Sequence, residues 1–285
     1  MARGSCLCGD VAWESGGPFE LMSHCHCSMC RKSHGAAFGT YVAVPAPGFR
    51  FSRGEPGIAH YESSPGFVRA FCPRCGSVVP SPQGGEQVFL PAGCLDDDPG
   101  VRPLAHIFAA SKAPWHAIAD SLPRFDTLPP GMGSGVERPA RDPSPPGRVR
   151  GSCLCGAVAF ELAGPLHEMR CCHCSRCRKA RAAAHGTNVI AKAEALRWLA
   201  GEAQVRSFKV PGALFFTNCF CATCGGKVPR VDPSRGLAIV PAGSLDDDPG
   251  ARPQMHIFVG SKAPWYEIPD ALPRHDGAAP QPPQP

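Results

Sequence analysis

The sequence predicts a mainly β protein made of two tandem copies of one small domain. Three observations carry this. The run Gly4-Ser5-Cys6-Leu7-Cys8-Gly9 returns as Gly151-Ser152-Cys153-Leu154-Cys155-Gly156, and Cys25-His26-Cys27-Ser28 returns as Cys172-His173-Cys174-Ser175. Within each copy, apolar residues alternate with period two more often than with the 3.6 of a helix. Finally, 33 prolines and 32 glycines in 285 residues work against long helices or one large sheet.

Taken in order, the alternation places short strands at 11–14, 49–51, 68–71 and 87–90, each bounded by Gly or Pro. Their counterparts fall at 158–160, 196–198, 214–216 and 237–240. Short helices are expected after the second cysteine cluster of each copy and at 115–122 and 265–272. Farther along, Cys72-Pro73-Arg74-Cys75-Gly76 matches Cys221-Ala222-Thr223-Cys224-Gly225, and the stretch from His106-Ile107-Phe108 to Trp115 matches that from His256-Ile257-Phe258 to Trp265. A repeat this long means two complete domains, 1–130 and 148–277, because solenoid units are much shorter. Loss of metal in one is then expected to leave the other folded. The Gly/Pro/Ser/Arg stretch 131–147 reads as a linker and the Pro-rich 278–285 as a disordered tail.

Charge and hydropathy exclude several classes. The formal net charge is +5, but residues 1–130 hold 10 basic against 11 acidic side chains and 151–285 hold 15 against 11. No basic footprint for a phosphate backbone results, so nucleic acid is not an expected partner. No stretch approaches the about 20 apolar residues of a membrane span, and the N-terminus lacks the apolar core of a signal peptide. A cytoplasmic location is expected. There the 17 cysteines would stay reduced, as thiolate ligands rather than disulfides.

The cysteines are the strongest functional signal. Cys6 and Cys8, followed by Gly9, and Cys72 and Cys75, followed by Gly76, form two tight turns that each present two sulfurs. Together they make the closed four-thiolate set of structural zinc, with tetrahedral iron as the competing occupant; Cys153, Cys155, Cys221 and Cys224 repeat it. The middle cluster differs. Cys25, Cys27 and Cys30, like Cys172, Cys174 and Cys177, give three sulfurs and no fourth cysteine common to both copies: Cys94 aligns with Ser244, Cys171 with His24 and Cys219 with Ala70. Three protein ligands and one exchangeable position are the pattern of catalytic zinc. The alternative is a structural three-cysteine, one-histidine site completed by His26, His173, His106 or His256, although the rings of His26 and His173 should point away from the metal. Two zinc ions per domain, about four per chain, follow from tetrahedral thiolate coordination.

Arg31-Lys32 and Arg178-Lys179 follow each three-cysteine cluster and would offset thiolate charge, attract an anion or simply be solvated. Lys112 and Lys262, in the repeated His-Ile-Phe-x-x-Ser-Lys-Ala-Pro-Trp stretch, are candidates for contacting a substrate carboxylate. The runs at 96–100 and 246–250, Asp-Asp-Asp-Pro-Gly in both copies, read as turns rather than metal sites.

In sequence order, Cys-Leu-Cys-Gly, Cys-His-Cys-Ser-x-Cys-Arg-Lys, Cys-x-x-Cys-Gly and His-Ile-Phe-x-x-Ser-Lys-Ala-Pro-Trp resemble the glutathione-dependent formaldehyde-activating enzyme and centromere protein V domain family, over nearly all of both copies. The resemblance implies a β-tent fold of small coiled sheets, structural zinc on the four-cysteine sets and catalytic-type zinc on the three-cysteine sets. It also implies a carbon-sulfur lyase reaction joining glutathione and formaldehyde as S-(hydroxymethyl)glutathione. The leading expectation is an enzyme that binds a small thiol at an open zinc and sets the thiolate against an aldehyde carbon. A zinc-stabilised binding module for protein or chromatin partners is the alternative. His34 aligns with Arg181, Phe38 with His185 and Met29 with Arg176, so the two pockets are expected to differ.

Overall fold

The structure, a computed structural model, describes residues 1–133, 135–136 and 144–279. The expected linker at 131–147 and tail at 278–285 lie partly outside these residues. The fold is mainly β, built from several small sheets, with two α-helices among the described residues. Among the described residues no helix is long and apolar enough to cross a membrane.

Both copies are built on one plan. Strands Ala2–Ser5, Ala12–Ser15 and Phe49–Arg53 form a first antiparallel sheet, and the Cys6–Cys8 turn lies in its opening hairpin. The second sheet runs Ala105–Ile107, Leu21–Cys25, Gly39–Pro45, Gln87–Pro91. Its parallel member sets His106 against His24 and Ile107 against Cys25, so the histidine stretch borders the three-cysteine loop. The third sheet, Ala59–Ser64 with Phe67–Phe71 and Val78–Val79, carries Cys72 and Cys75 in its last turn. In the second copy Arg148–Ser152, Ala159–Ala163 and Leu196–Ala200 repeat the first sheet, and the second grows to six strands around Glu168–Cys172 and Gly186–Lys192.

Helix α1 (Ser28–His34) and helix α2 (Ser175–Arg181) follow the three-cysteine loops as expected. Each is capped by a cysteine of its loop: Cys27 Sγ accepts from Cys30 N at 3.3 Å, and Cys174 Sγ from Cys177 N at 3.4 Å. A sulfur in the cap position satisfies an amide that the first helical turn cannot. The expected helices at 115–122 and 265–272 do not form. There Asp120 and Asp270 accept from the amides of Leu122 and Leu272, and Trp115 and Trp265 are buried, so side-chain anchoring replaces the helical ladder. The expected strand at 214–216 lies instead at Thr217–Cys221; Leu214 and Phe215 are exposed next to the turn at Gly212, so their apolar character served no core.

The copies interlock rather than sit side by side. Trp13, Leu90 and Trp115 of the first share one buried cluster with Phe160, Leu162 and Trp265 of the second. Equivalent contacts are exchanged, as across an isologous dimer interface. Lys32 Nζ reaches Asp246 Oδ1 at 2.7 Å and Ser152 Oγ at 2.8 Å, while Lys179 Nζ reaches Asp96 Oδ1 and Ser5 Oγ, both at 2.5 Å. A Cβ on Gly93 would stand 2.1 Å from Ala183 N, and one on Gly243 would stand 2.3 Å from Ala36 O, so only glycine allows these backbones to approach. The lysines of the two Arg-Lys pairs thus join the copies, and the aspartate turns receive them.

Candidate metal centres

Four groups of sulfurs come together: Cys6, Cys8, Cys72 and Cys75; Cys153, Cys155, Cys221 and Cys224; Cys25, Cys27 and Cys30; and Cys172, Cys174 and Cys177, with all ligand atoms in each group within 4.8 Å of one another. All seventeen cysteines are free. In the four-cysteine groups Cys6 and Cys8 sulfurs stand 3.4 Å apart, Cys8 and Cys72 3.6 Å, and Cys155 and Cys221 3.8 Å. A tetrahedral ion with zinc-sulfur bonds of about 2.3 Å sets sulfurs about 3.8 Å apart. Backbone amides add donors: Val11 N to Cys6 Sγ and Val158 N to Cys153 Sγ, each 3.3 Å. The donor sets therefore fit a soft divalent ion, and all four groups can hold one.

The closed turns also build the interface. Asn218 Nδ2 donates to Cys75 O at 2.8 Å, Phe71 and Phe220 meet edge to face, and the fully buried Lys227 Nζ donates to Ser33 O, Gly76 O and Gly225 O at 3.0, 2.6 and 2.7 Å. Burial lowers the Lys227 pKa to about 7.

No histidine or carboxylate joins either three-cysteine group among the described residues. His26 Nε2 instead meets His106 Nδ1 at 2.8 Å, and His106 Nε2 meets Asp120 at 2.9 Å; His173, His256 and Asp270 repeat the arrangement at 2.8 and 3.0 Å. Because a carboxylate accepts the Nε2–H of His106, its Nδ1 accepts from His26, which leaves His26 Nδ1 a bare acceptor. That atom and His173 Nδ1 are buried without partners. Neither ring joins its three-sulfur group, and no spacing in the sequence announced the carboxylates of Asp120 and Asp270 that meet His106 and His256.

Electrostatics separate the two groups. In the first, Cys25 and Cys27 thiols hydrogen-bond to Cys30 and, with Arg69 nearby, hold it well below the ordinary thiol range. Arg69 Nη1 and Nη2 both lie 3.7 Å from Cys30 Sγ, and its Nε donates to Ser63 Oγ at 3.0 Å. In the second, Cys172 and Cys177 lower Cys174 to about 3. Arg69 was missed because its counterpart by alignment is Asn218, so the repeat gave no signal.

Lys112 is exposed and, with His116, Arg124 and Arg252, lines a cavity of about 330 Å³ that no cysteine borders. Lys262 instead donates to the carbonyl of Tyr266.

Burial holds several histidines neutral: His34 falls to about 4, His26 to about 2 and His173 to about 3, while His24 and His185 fall well below the usual value. Their folded pKa values lie below the unfolded value of about 6.5. Stability from each is thus complete above that pH and is lost as pH falls toward the folded value, at about 1.4 kcal/mol per pH unit for each histidine. Thermal melts at pH 6.5, 5.5 and 4.5 should show a steep fall that flattens in His34→Gln; an unchanged slope would contradict neutral burial of His34.

Small sheets with two four-sulfur clusters that bring distant turns together, and two three-sulfur clusters each within one loop, define a cysteine-rich protein with groups that could hold metal. The sequence profile of the family described as glutathione-dependent formaldehyde-activating enzyme matches residues 1–111 and 148–261, and the chain belongs to that family. A Halomonas elongata protein, provisionally named a glutathione-dependent formaldehyde-activating enzyme, is 29% identical over 130 residues, covering 42% of this chain and 80% of its own. A crystal structure of a Rhodobacter sphaeroides protein from structural genomics aligns at 25% identity with a TM-score of 0.29, over 35% of this chain and 91% of its own.

Proposed function

We propose that the chain is a zinc-dependent carbon-sulfur lyase-type enzyme acting on adducts of a small thiol and an aldehyde, such as S-(hydroxymethyl)glutathione. The observation that carries this reading is the pair of three-sulfur groups that no histidine, carboxylate or fourth cysteine joins among the described residues. Cys25, Cys27 and Cys30, or Cys172, Cys174 and Cys177, would hold the ion, which would supply Lewis acidity and a position for a substrate sulfur. In the forward direction the thiol gives up its proton on binding, a carbon-sulfur bond forms between its sulfur and the aldehyde carbon as the carbonyl π bond opens, and a proton from water ends on the carbonyl oxygen.

The chain's own groups prepare that exchange. Cys27 Sγ and Cys174 Sγ stay fixed by the helix amides they accept. The Asp120–His106–His26 and Asp270–His256–His173 chains lock the backbone between the first two ligands of each group. Lys112 and Lys262 remain proposed contacts for a substrate carboxylate, Lys112 from the cavity beside His116.

Zinc-loaded protein should speed the exchange between free formaldehyde and its glutathione adduct, read by two-dimensional exchange NMR. The double variant Cys27→Ser, Cys174→Ser should lose that acceleration while keeping its fold. Exchange no faster than with buffer and zinc alone would favour the binding-module alternative.

A further inference from the structure

We propose that the two three-cysteine centres divide the work: the second, Cys172, Cys174 and Cys177, takes an external thiol that carries carboxylates, while the first, Cys25, Cys27 and Cys30, is a sealed, charge-balanced metal centre. This assignment rests on the thiol-binding reading above. It adds which copy receives the substrate.

Access is the first ground. Cys25, Cys27 and Cys30 are 6%, 4% and 5% exposed and belong to one buried apolar cluster with Met29 and Phe108. A Cβ on Gly135 would stand 2.1 Å from the Phe108 ring, so the Gly135 backbone packs directly against that ring. In the second copy Cys172 is as buried as Cys25, but Cys174 and Cys177 are partly exposed, the trio belongs to no apolar cluster among the described residues, and Phe258, the counterpart of Phe108, is only partly buried.

Charge is the second. Three thiolates around a divalent ion leave one negative charge, costly to bury unless paired. Arg69, itself 8% exposed, supplies the balancing cation through both terminal nitrogens on Cys30 Sγ. The centre is then neutral with a neutral fourth ligand, and a fourth thiolate would restore a buried charge. Among the described residues no guanidinium hydrogen-bonds a sulfur of the second trio, although the buried Arg181 lies close enough for its charge to act on Cys177 and Cys172. Asn218, in place of Arg69, donates to Cys75 O, and the buried Arg181 gives its Nη2 to Asn188 Oδ1.

The third ground is the residue between the last two ligands. Met29 in the first copy is buried; Arg176 in the second is exposed. A cation at the rim of an accessible metal centre suits a thiol whose carboxylates stay in solvent, and the thiol proton leaves to water on binding.

Calorimetric titration of the zinc-loaded full chain with glutathione should give one thiol bound per chain. In cobalt-loaded protein the thiol-induced change of the visible bands should persist in Cys27→Ser and vanish in Cys174→Ser. Arg176→Met should weaken glutathione about 2- to 5-fold, the range of an exposed ion pair, and leave 2-mercaptoethanol unchanged. Two thiols per chain of similar affinity, or a response lost in Cys27→Ser and kept in Cys174→Ser, would overturn the division. Should either variant fail to fold, the stoichiometry of the unaltered chain together with Arg176→Met still decides, since only binding at the second centre makes glutathione sensitive to that change. Chelator release from cobalt-loaded protein tests access without any thiol: the second centre should empty at least tenfold faster than the first, and equal rates overturn the sealing. Faster emptying of the second centre with no thiol bound at either would overturn the proposed function and leave the sealing of the first centre standing.

Discussion

Cys75→Ser is expected to unfold the whole chain in one transition rather than its first half alone. The substitution takes one ligand from a closed four-sulfur group, and structural zinc sites of this kind carry folding free energy on the order of 10 kcal/mol. The loss cannot stay in one copy. Cys75 O accepts the Asn218 amide, Gly76 O accepts Lys227, and a Cβ on Gly76 would stand 2.4 Å from the Phe220 ring, so the same turn whose sulfurs could hold an ion holds the second copy. Gly225 stands likewise against Phe71. Differential scanning calorimetry with limited proteolysis and peptide mapping would check this. Protection of residues 148–277 at temperatures where 1–130 is cleaved would refute the interlock.

That expectation reverses the one drawn from the repeat, and the reason is physical. Local pattern was legible: alternation placed most strands, Cys-x-Cys-Gly and Cys-x-x-Cys-Gly placed the closed groups, and the cysteine loops marked where α1 and α2 begin. A contact between copies leaves no local signature. Lys32 and Lys179 looked like ordinary solvated charges because the aspartates that receive them lie in the other copy, Asp246 and Asp96. The repeat itself hid Arg69, since comparing copies emphasises shared residues and this one has no twin. Trp115 and Trp265 were read as helical, but extended segments pinned by Asp120 and Asp270 can bury them equally well.

The two lysine tethers offer a controlled comparison, because symmetry makes their partners equivalent and burial makes their energies different. Lys32 and Asp246 side chains are 9% and 10% exposed, against 21% and 37% for Lys179 and Asp96. Asp246→Ala leaves an ammonium in a nearly dry interface, facing neutral acceptors that include Ser152 Oγ, Ser152 O and Ser244 O. Removing one partner of a buried pair costs about 3–5 kcal/mol, whereas an exposed pair contributes about 0.2–1 kcal/mol. In a chain of this size the first should lower the melting temperature by roughly 10 °C and the second by a few degrees at most. The double change Lys32→Met, Asp246→Leu should recover much of the loss, because well-packed apolar residues can replace a buried ion pair with little penalty. Equal destabilisation by Asp246→Ala and Asp96→Ala would mean that burial does not set the strength of the tethers. An unrecovered double variant would instead assign the stability to the shape of the Lys32 contact with Ser152 rather than to its charge.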